Sequence, residues 1–122
     1  MSKTILVVDD SASIRQVVKM ALSGAGYQVI EASDGREALK KLDGTKIHLV
    51  ISDVNMPNMD GITLVKEIKK ISTYRFTPII MLTTESQDSM KLQGQAAGAK
   101  AWVVKPFQPQ QMLAAVAKLA AA

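Results

Sequence analysis

Five polar residues of this sequence close short apolar runs. Asp9 and Asp10 follow Ile5 to Val8, Asp53 lies one residue beyond Leu49 to Ile51, Thr83 follows Ile79 to Leu82, and Lys105 follows Ala101 to Val104. Three carboxylates brought together repel unless a proton or a cation intervenes, and an all-oxygen set without His or Cys suits a hard ion such as Mg2+. A hydroxyl from Thr83 and a mobile positive charge from Lys105 would complete a phosphoryl site, because the equatorial oxygens carry the charge that develops during phosphoryl transfer. Asp53 is then the candidate nucleophile. A plainer alternative is a charged sheet edge in which Lys105 pairs with one acid. Against it stands the need for four separate strand ends to supply matching chemistry by chance.

These residues meet only if the runs before them lie side by side and point the same way. Ile5 to Val8, Leu49 to Ile51, Ile79 to Leu82 and Ala101 to Val104 are continuous apolar stretches, as strands buried on both faces of a parallel sheet require. Tyr27 to Ala32 alternates, with Val29 and Ile30 between Gln28 and Glu31, which places it nearer an edge. Helical patterns separate the runs. The first is capped by Ser11 or Ser13, carries the stripe Ile14, Val17, Val18, Ala21, Leu22 and Ala25, and ends at Gly26. The second starts in capping-box fashion at Asp34 and Glu37 and closes at Gly44. The third is capped by Asp60 and turns Leu64, Val65, Ile68 and Ile71 inward. The fourth, about Ser86 to Ala97, is weakly amphipathic and should dock marginally. The fifth has Pro109 near its first turn and runs through Met112, Val116 and Leu119. Five strand-helix pairs with right-handed crossovers predict an α/β fold: a flavodoxin-like, doubly wound, five-stranded parallel sheet of order 2-1-3-4-5 with five helices. In such sheets ligands gather at the carboxyl ends of the strands, where the five polar residues fall.

Composition narrows the function classes. A chain of 122 residues with 48% hydrophobic content is read as one domain, 1–122, able to bury roughly two-thirds of its unfolded surface. With no linker or repeat in sight, output is expected through a partner in trans. The absence of cysteine removes disulfides, thiolate metal sites and cysteine nucleophiles. The opening MSKTILVVDD holds too short an apolar stretch for a signal peptide core or a membrane span, so a soluble, cytoplasmic protein is expected. A net charge of +4 raises nucleic acid as a partner, but the lysines are spread along the chain and aromatic residues make up only 4%. Neither nucleic acid nor membrane is expected as a partner.

The motifs VVDDS (Val7 to Ser11), ISDVNMPNMDG (Ile51 to Gly61), MLTTES (Met81 to Ser86) and KPF (Lys105 to Phe107) occur in this order over the whole length. With them the chain resembles a response regulator receiver domain, closest to the stand-alone chemotaxis type. The resemblance implies a phosphorylation-activated switch of a two-component system, in which Asp53 accepts a phosphoryl group from a sensor histidine kinase or a small acyl phosphate donor. It implies Mg2+ held by Asp10, Asp53 and the Asn55 carbonyl with Asp9 in support, Thr83 and Lys105 on the phosphoryl oxygens, and a cis bond between Lys105 and Pro106. Asn55 and Glu85 flank the expected path of the attacking water and would tune dephosphorylation. The resemblance implies a monomer whose partners are the kinase, a downstream target such as the flagellar motor switch, and a phosphatase. It would not be an enzyme beyond its own phosphorylation and dephosphorylation.

One position departs from the family's commonest pattern. Three residues before Lys105, where the family usually has Tyr or Phe as the ring that turns inward on activation, stands Trp102. With Thr83 it is expected to form the switch that reaches the face made by the 86–97 helix, the fifth strand and the last helix. Three other readings stay open on sequence grounds. A Mg-dependent phosphatase with an aspartyl nucleophile usually needs a second acid two residues on, where this chain has Asn55. A flavin carrier would need a phosphate-cradling turn after the first strand, where VVDDSAS puts carboxylates. A receiver that acts only as a phosphate sink would carry the same motifs.

Overall fold

The computed structural model describes residues 3–54, 56, 59–84, 96–105 and 108–120, with the backbone alone at Thr83, Thr84 and Lys105. Five strands form one parallel sheet: β1 (Thr4–Val8), β2 (Gln28–Ala32), β3 (Leu49–Asp53), β4 (Ile79–Thr84) and β5 (Ala101–Lys105), in the order β2-β1-β3-β4-β5. Four α-helices are described between and after them: α1 (Ala12–Gly24), α2 (Gly35–Lys41), α3 (Gly61–Lys70) and α4 (Pro109–Ala120). The helix expected from Ser86 to Ala97 lies outside the described residues but for its last two.

Because successive side chains of a strand point to opposite faces, the continuous apolar runs feed two cores. Leu6, Val8, Val50, Ile79 and Met81 pack with Ala38 of α2 and with Ile62, Leu64, Val65 and Ile68 of α3. Ile5, Val7, Leu49, Ile51, Ile80, Leu82 and Val103 pack with Val18 and Leu22 of α1 and with Met112, Val116 and Ala120 of α4. Every residue of β3 is buried, as befits the central strand, whereas in β2 only Ala32 is. That contrast is the edge position expected from the alternation of β2.

Helix starts follow the capping chemistry. The Ser11 hydroxyl accepts from the Ile14 amide, the Asp34 carboxylate from the Glu37 amide, and the Asp60 carboxylate from the Thr63 amide. Glu37 completes its turn through the Ser33 hydroxyl, which donates to it at 2.8 Å. At the other end of α4 the Lys3 amine donates to the Ala120 carbonyl, a cation at a helix C-terminus.

The stripe expected on α1 is narrower than its apolar content. Val18 and Leu22 are fully buried, but Val17 is 48% exposed. Neighbouring residues on a helix stand about 100° apart, so Val17 and Val18 cannot both face the sheet. The single line Val18–Leu22 does, flanked by the partly buried Ile14 and Ala21. Ala25 is the exposed C-cap rather than the end of that stripe.

Candidate functional site

Parallel pairing brings the carboxyl ends of β1, β3, β4 and β5 to one edge. Val8 of β1 pairs with Ser52 of β3, and Asp53 pairs with Leu82 of β4. Asp9 therefore leaves β1 beside Asp53, and Thr83 is one step beyond Leu82 on the other side. In β5, Val104 pairs with Thr83 and Lys105 with Thr84. All five residues expected at this edge have their backbones there.

Asp9, Asp10 and Asp53 each offer a carboxylate oxygen, and these oxygens lie within 4.8 Å of one another. Asp9 is fully buried, Asp53 is 8% exposed, and Asp10 is exposed, so the cluster is walled by the sheet and open on one side. Like charges this close are costly without a counter-charge, and a set of hard oxygen donors with one open side suits a small divalent cation that keeps some water. The single histidine, His48, takes no part. It precedes β3 at the opposite edge, where its Nδ1 accepts from the Thr4 amide.

Local geometry fixes each acid differently. The Asp53 carboxylate accepts from the following Val54 amide at 2.9 Å, while its carbonyl accepts from the Ser52 hydroxyl at 2.9 Å. The Asp9 amide donates to Ala32 of β2 at 3.1 Å, and its carboxylate accepts from the Ser11 amide at 2.9 Å. The Asp9 carbonyl accepts from Arg15 Nη1 at 2.6 Å, and Arg15 Nε in turn donates to Glu31 Oε1 at 3.3 Å. Among the described residues the Asp10 side chain makes no hydrogen bond or ion pair.

Asn55, Glu85 and Pro106 lie outside the described residues, as do the third motif beyond Thr84 and the fourth beyond Lys105. Trp102 of β5 is adjacent in register to Met81 and packs against the core on the α3 side. Its Nε1 is buried with no hydrogen-bond partner among the described residues. Two participants escaped the sequence reading. Gly61 was read only as part of a motif, although a side chain there would strike the Asp53 carbonyl. Arg15 was not singled out, although its place four residues after Ser11 puts it on the turn that faces back to the loop.

A family model described as the response regulator receiver domain matches residues 5–117. Among curated proteins, the chain is 41% identical over 120 residues to the chemotaxis protein CheY of Thermotoga maritima, covering 98% of each chain. Among solved structures it matches chemotaxis response regulator CheY4 of Vibrio cholerae at a TM-score of 0.92 and 48% identity, covering 98% of this chain and 99% of that one. A response regulator structure from Chloroflexus aurantiacus gives a TM-score of 0.95 at 35% identity, with both chains covered fully.

Proposed function

This chain belongs to the response regulator receiver domain family, and from that premise we propose that it is a stand-alone signalling switch whose Asp53 is phosphorylated. The observation that carries the proposal is the convergence of the Asp9, Asp10 and Asp53 carboxylates at the end of the central strand. An Asp53 oxygen attacks the phosphorus of a kinase phosphohistidine. The P–N bond breaks, the imidazole keeps the electron pair and takes up a proton, and Asp53 is left as an acyl phosphate. Asp10, Asp53 and the Asn55 carbonyl would hold Mg2+, with Asp9 in support. Bound there, the ion supplies neutralising charge for the carboxylates and the phosphoryl oxygens. Thr83 and Lys105, placed by β4 and β5 at the same edge, are assigned to the phosphoryl oxygens. Asn55 and Glu85 are assigned to the timing of hydrolysis.

Output runs through Thr83 and Trp102 to the face that includes β5, where a downstream protein binds. The indole N–H, buried with no acceptor among the described residues, supports that reading, since a buried donor without an acceptor costs about 1–3 kcal/mol and brings a second ring orientation within reach. Near-complete coverage of relatives named chemotaxis proteins supports a messenger in chemotaxis, which we take to be a cytoplasmic monomer with a sensor histidine kinase upstream. Among the described residues no helix is long and apolar enough to cross a membrane.

Incubation with acetyl phosphate and Mg2+ should add one phosphoryl mass, and Asp53→Asn should abolish the gain. A variant that still gained the mass at the original rate would overturn the assignment. Changes at Asn55 or Glu85 should alter dephosphorylation more than phosphotransfer, and equal effects on both rates would count against their role.

A further inference from the structure

We propose that Arg15 is a positioning residue for the acid cluster. It clamps the Asp9–Asp10 turn in the geometry that receives a divalent cation, and Glu31 of the edge strand holds it in place. The inference rests on the metal site proposed above.

Its basis is the way Asp10 is held. Asp10 sits between two residues whose backbones are firmly tied, and its own backbone is held through them. On one side Ser11 is fixed as the N-cap of α1, its hydroxyl accepting from Ile14 and its carbonyl from the Arg15 amide at 3.0 Å. On the other side Asp9 is tied by its amide to β2, by its carboxylate to Ser11 and by its carbonyl to Arg15. The tie to the Arg15 guanidinium comes from a side chain outside the turn. That side chain is 19% exposed, and its planar fork serves two partners at once, Nη1 on the Asp9 carbonyl and Nε on Glu31. An ammonium, with a single nitrogen on a flexible stem, cannot span both. Glu31 is gripped from a second direction by Lys19 at 3.4 Å, one turn further along α1.

Charge and geometry pull in opposite directions here, which makes the inference decidable. Arg15 adds a positive charge close to a cation site, so its removal would tighten metal binding if charge alone mattered. If the clamp matters more, removal loosens the Asp10 turn and weakens binding. Glu31 favours the second outcome twice over, by offsetting the guanidinium charge and by fixing its direction.

The test is Mg2+ affinity by titration calorimetry, at a temperature where unfolding curves show every protein folded, so that a loss of stability alone leaves the result unmoved. Arg15→Ala should weaken Mg2+ binding about tenfold, the lower end of what partners behind metal ligands contribute. Arg15→Lys should recover it only in part. Glu31→Gln should also weaken it, and its effect should vanish in the Arg15→Ala background, because Glu31 acts through Arg15. Should Arg15→Ala fail to fold, Arg15→Lys and Glu31→Gln give the same reading. Unchanged or tighter binding in these variants, or a lowered melting temperature with unchanged affinity, overturns the clamp. Asp10→Asn separates the two levels. If it abolishes Mg2+ binding while the Arg15 and Glu31 variants keep it, the clamp alone fails. If the unaltered protein binds no Mg2+, or Asp10→Asn binds as well as it does, the metal site fails and the clamp with it.

Discussion

Gly61, the first residue of α3, lies directly against Asp53. A Cβ built there would collide with the Asp53 carbonyl oxygen and sit 2.7 Å from Met81 Cε, and the Gly61 amide donates to Val54 at 2.8 Å. The helix thus starts against the backbone of the proposed phosphoacceptor, with no side chain between them.

Gly61→Ala should therefore cost about 1–3 kcal/mol of stability, the usual range for overpacking a filled site, although alanine is the better helix former. It should also slow phosphorylation by displacing Asp53. Denaturant unfolding and the rate of mass gain from acetyl phosphate measure the two effects, and a stabilised variant would show that the contact relaxes freely.

Asp53→Asn removes one of three clustered carboxylates while keeping an oxygen for the Val54 amide. Without divalent cation it should be more stable than the parent protein, by on the order of 1 kcal/mol. Saturating Mg2+ should shrink or reverse that difference, because the cation stabilises the parent selectively. Urea midpoints with Mg2+ and with a chelator give the comparison, and equal differences in both would deny that the carboxylates repel.

Lys69 of α3 donates to the Thr77 carbonyl at 2.8 Å. Burial, and then repulsion from Lys100, holds its pKa below the ordinary lysine value of 10.5. Between the folded value and 10.5 the unfolded chain binds more protons than the native one, so this group makes stability rise with pH through that window. Below it, the full cost of burying the charge is present. Lys69→Met should remove the rise, seen as a smaller difference in urea midpoint between neutral and alkaline pH. A difference identical to the parent's would mean that the amine titrates as if in water.

Trp102 is the only tryptophan, so its emission reports on one place. Addition of Mg2+ and beryllofluoride, a mimic of the phosphoryl group, should shift that emission and change its access to quenchers as the indole reorients. Partner affinity should rise in parallel. Identical spectra and identical quenching in both states would show a static ring and send the coupling elsewhere.

The sequence by itself determined the strands, their burial and the edge at which the chemistry gathers. Continuous apolar runs such as Leu49 to Ile51 admit few arrangements other than a sheet covered on both faces, and in a parallel sheet all strand ends fall on one side. That is why Asp9, Asp10 and Asp53 were legible as a cluster, along with the edge position of β2 and the caps at Asp34 and Asp60, whereas the choice between Ser11 and Ser13 as the cap of α1 was left to the structure. Tertiary structure decided what depends on the angle and distance between elements. Val17 and Val18 are equivalent in an apolar pattern, yet only Val18 meets the sheet, because the rotation of α1 about its axis is set by packing. Arg15 and Glu31 are 16 residues apart and join only because α1 packs beside β2. Gly61 lacks room for a side chain only because α3 begins against the Asp53 carbonyl. Periodicity reports the face on which a side chain lies, and only the packed fold reports what lies opposite it.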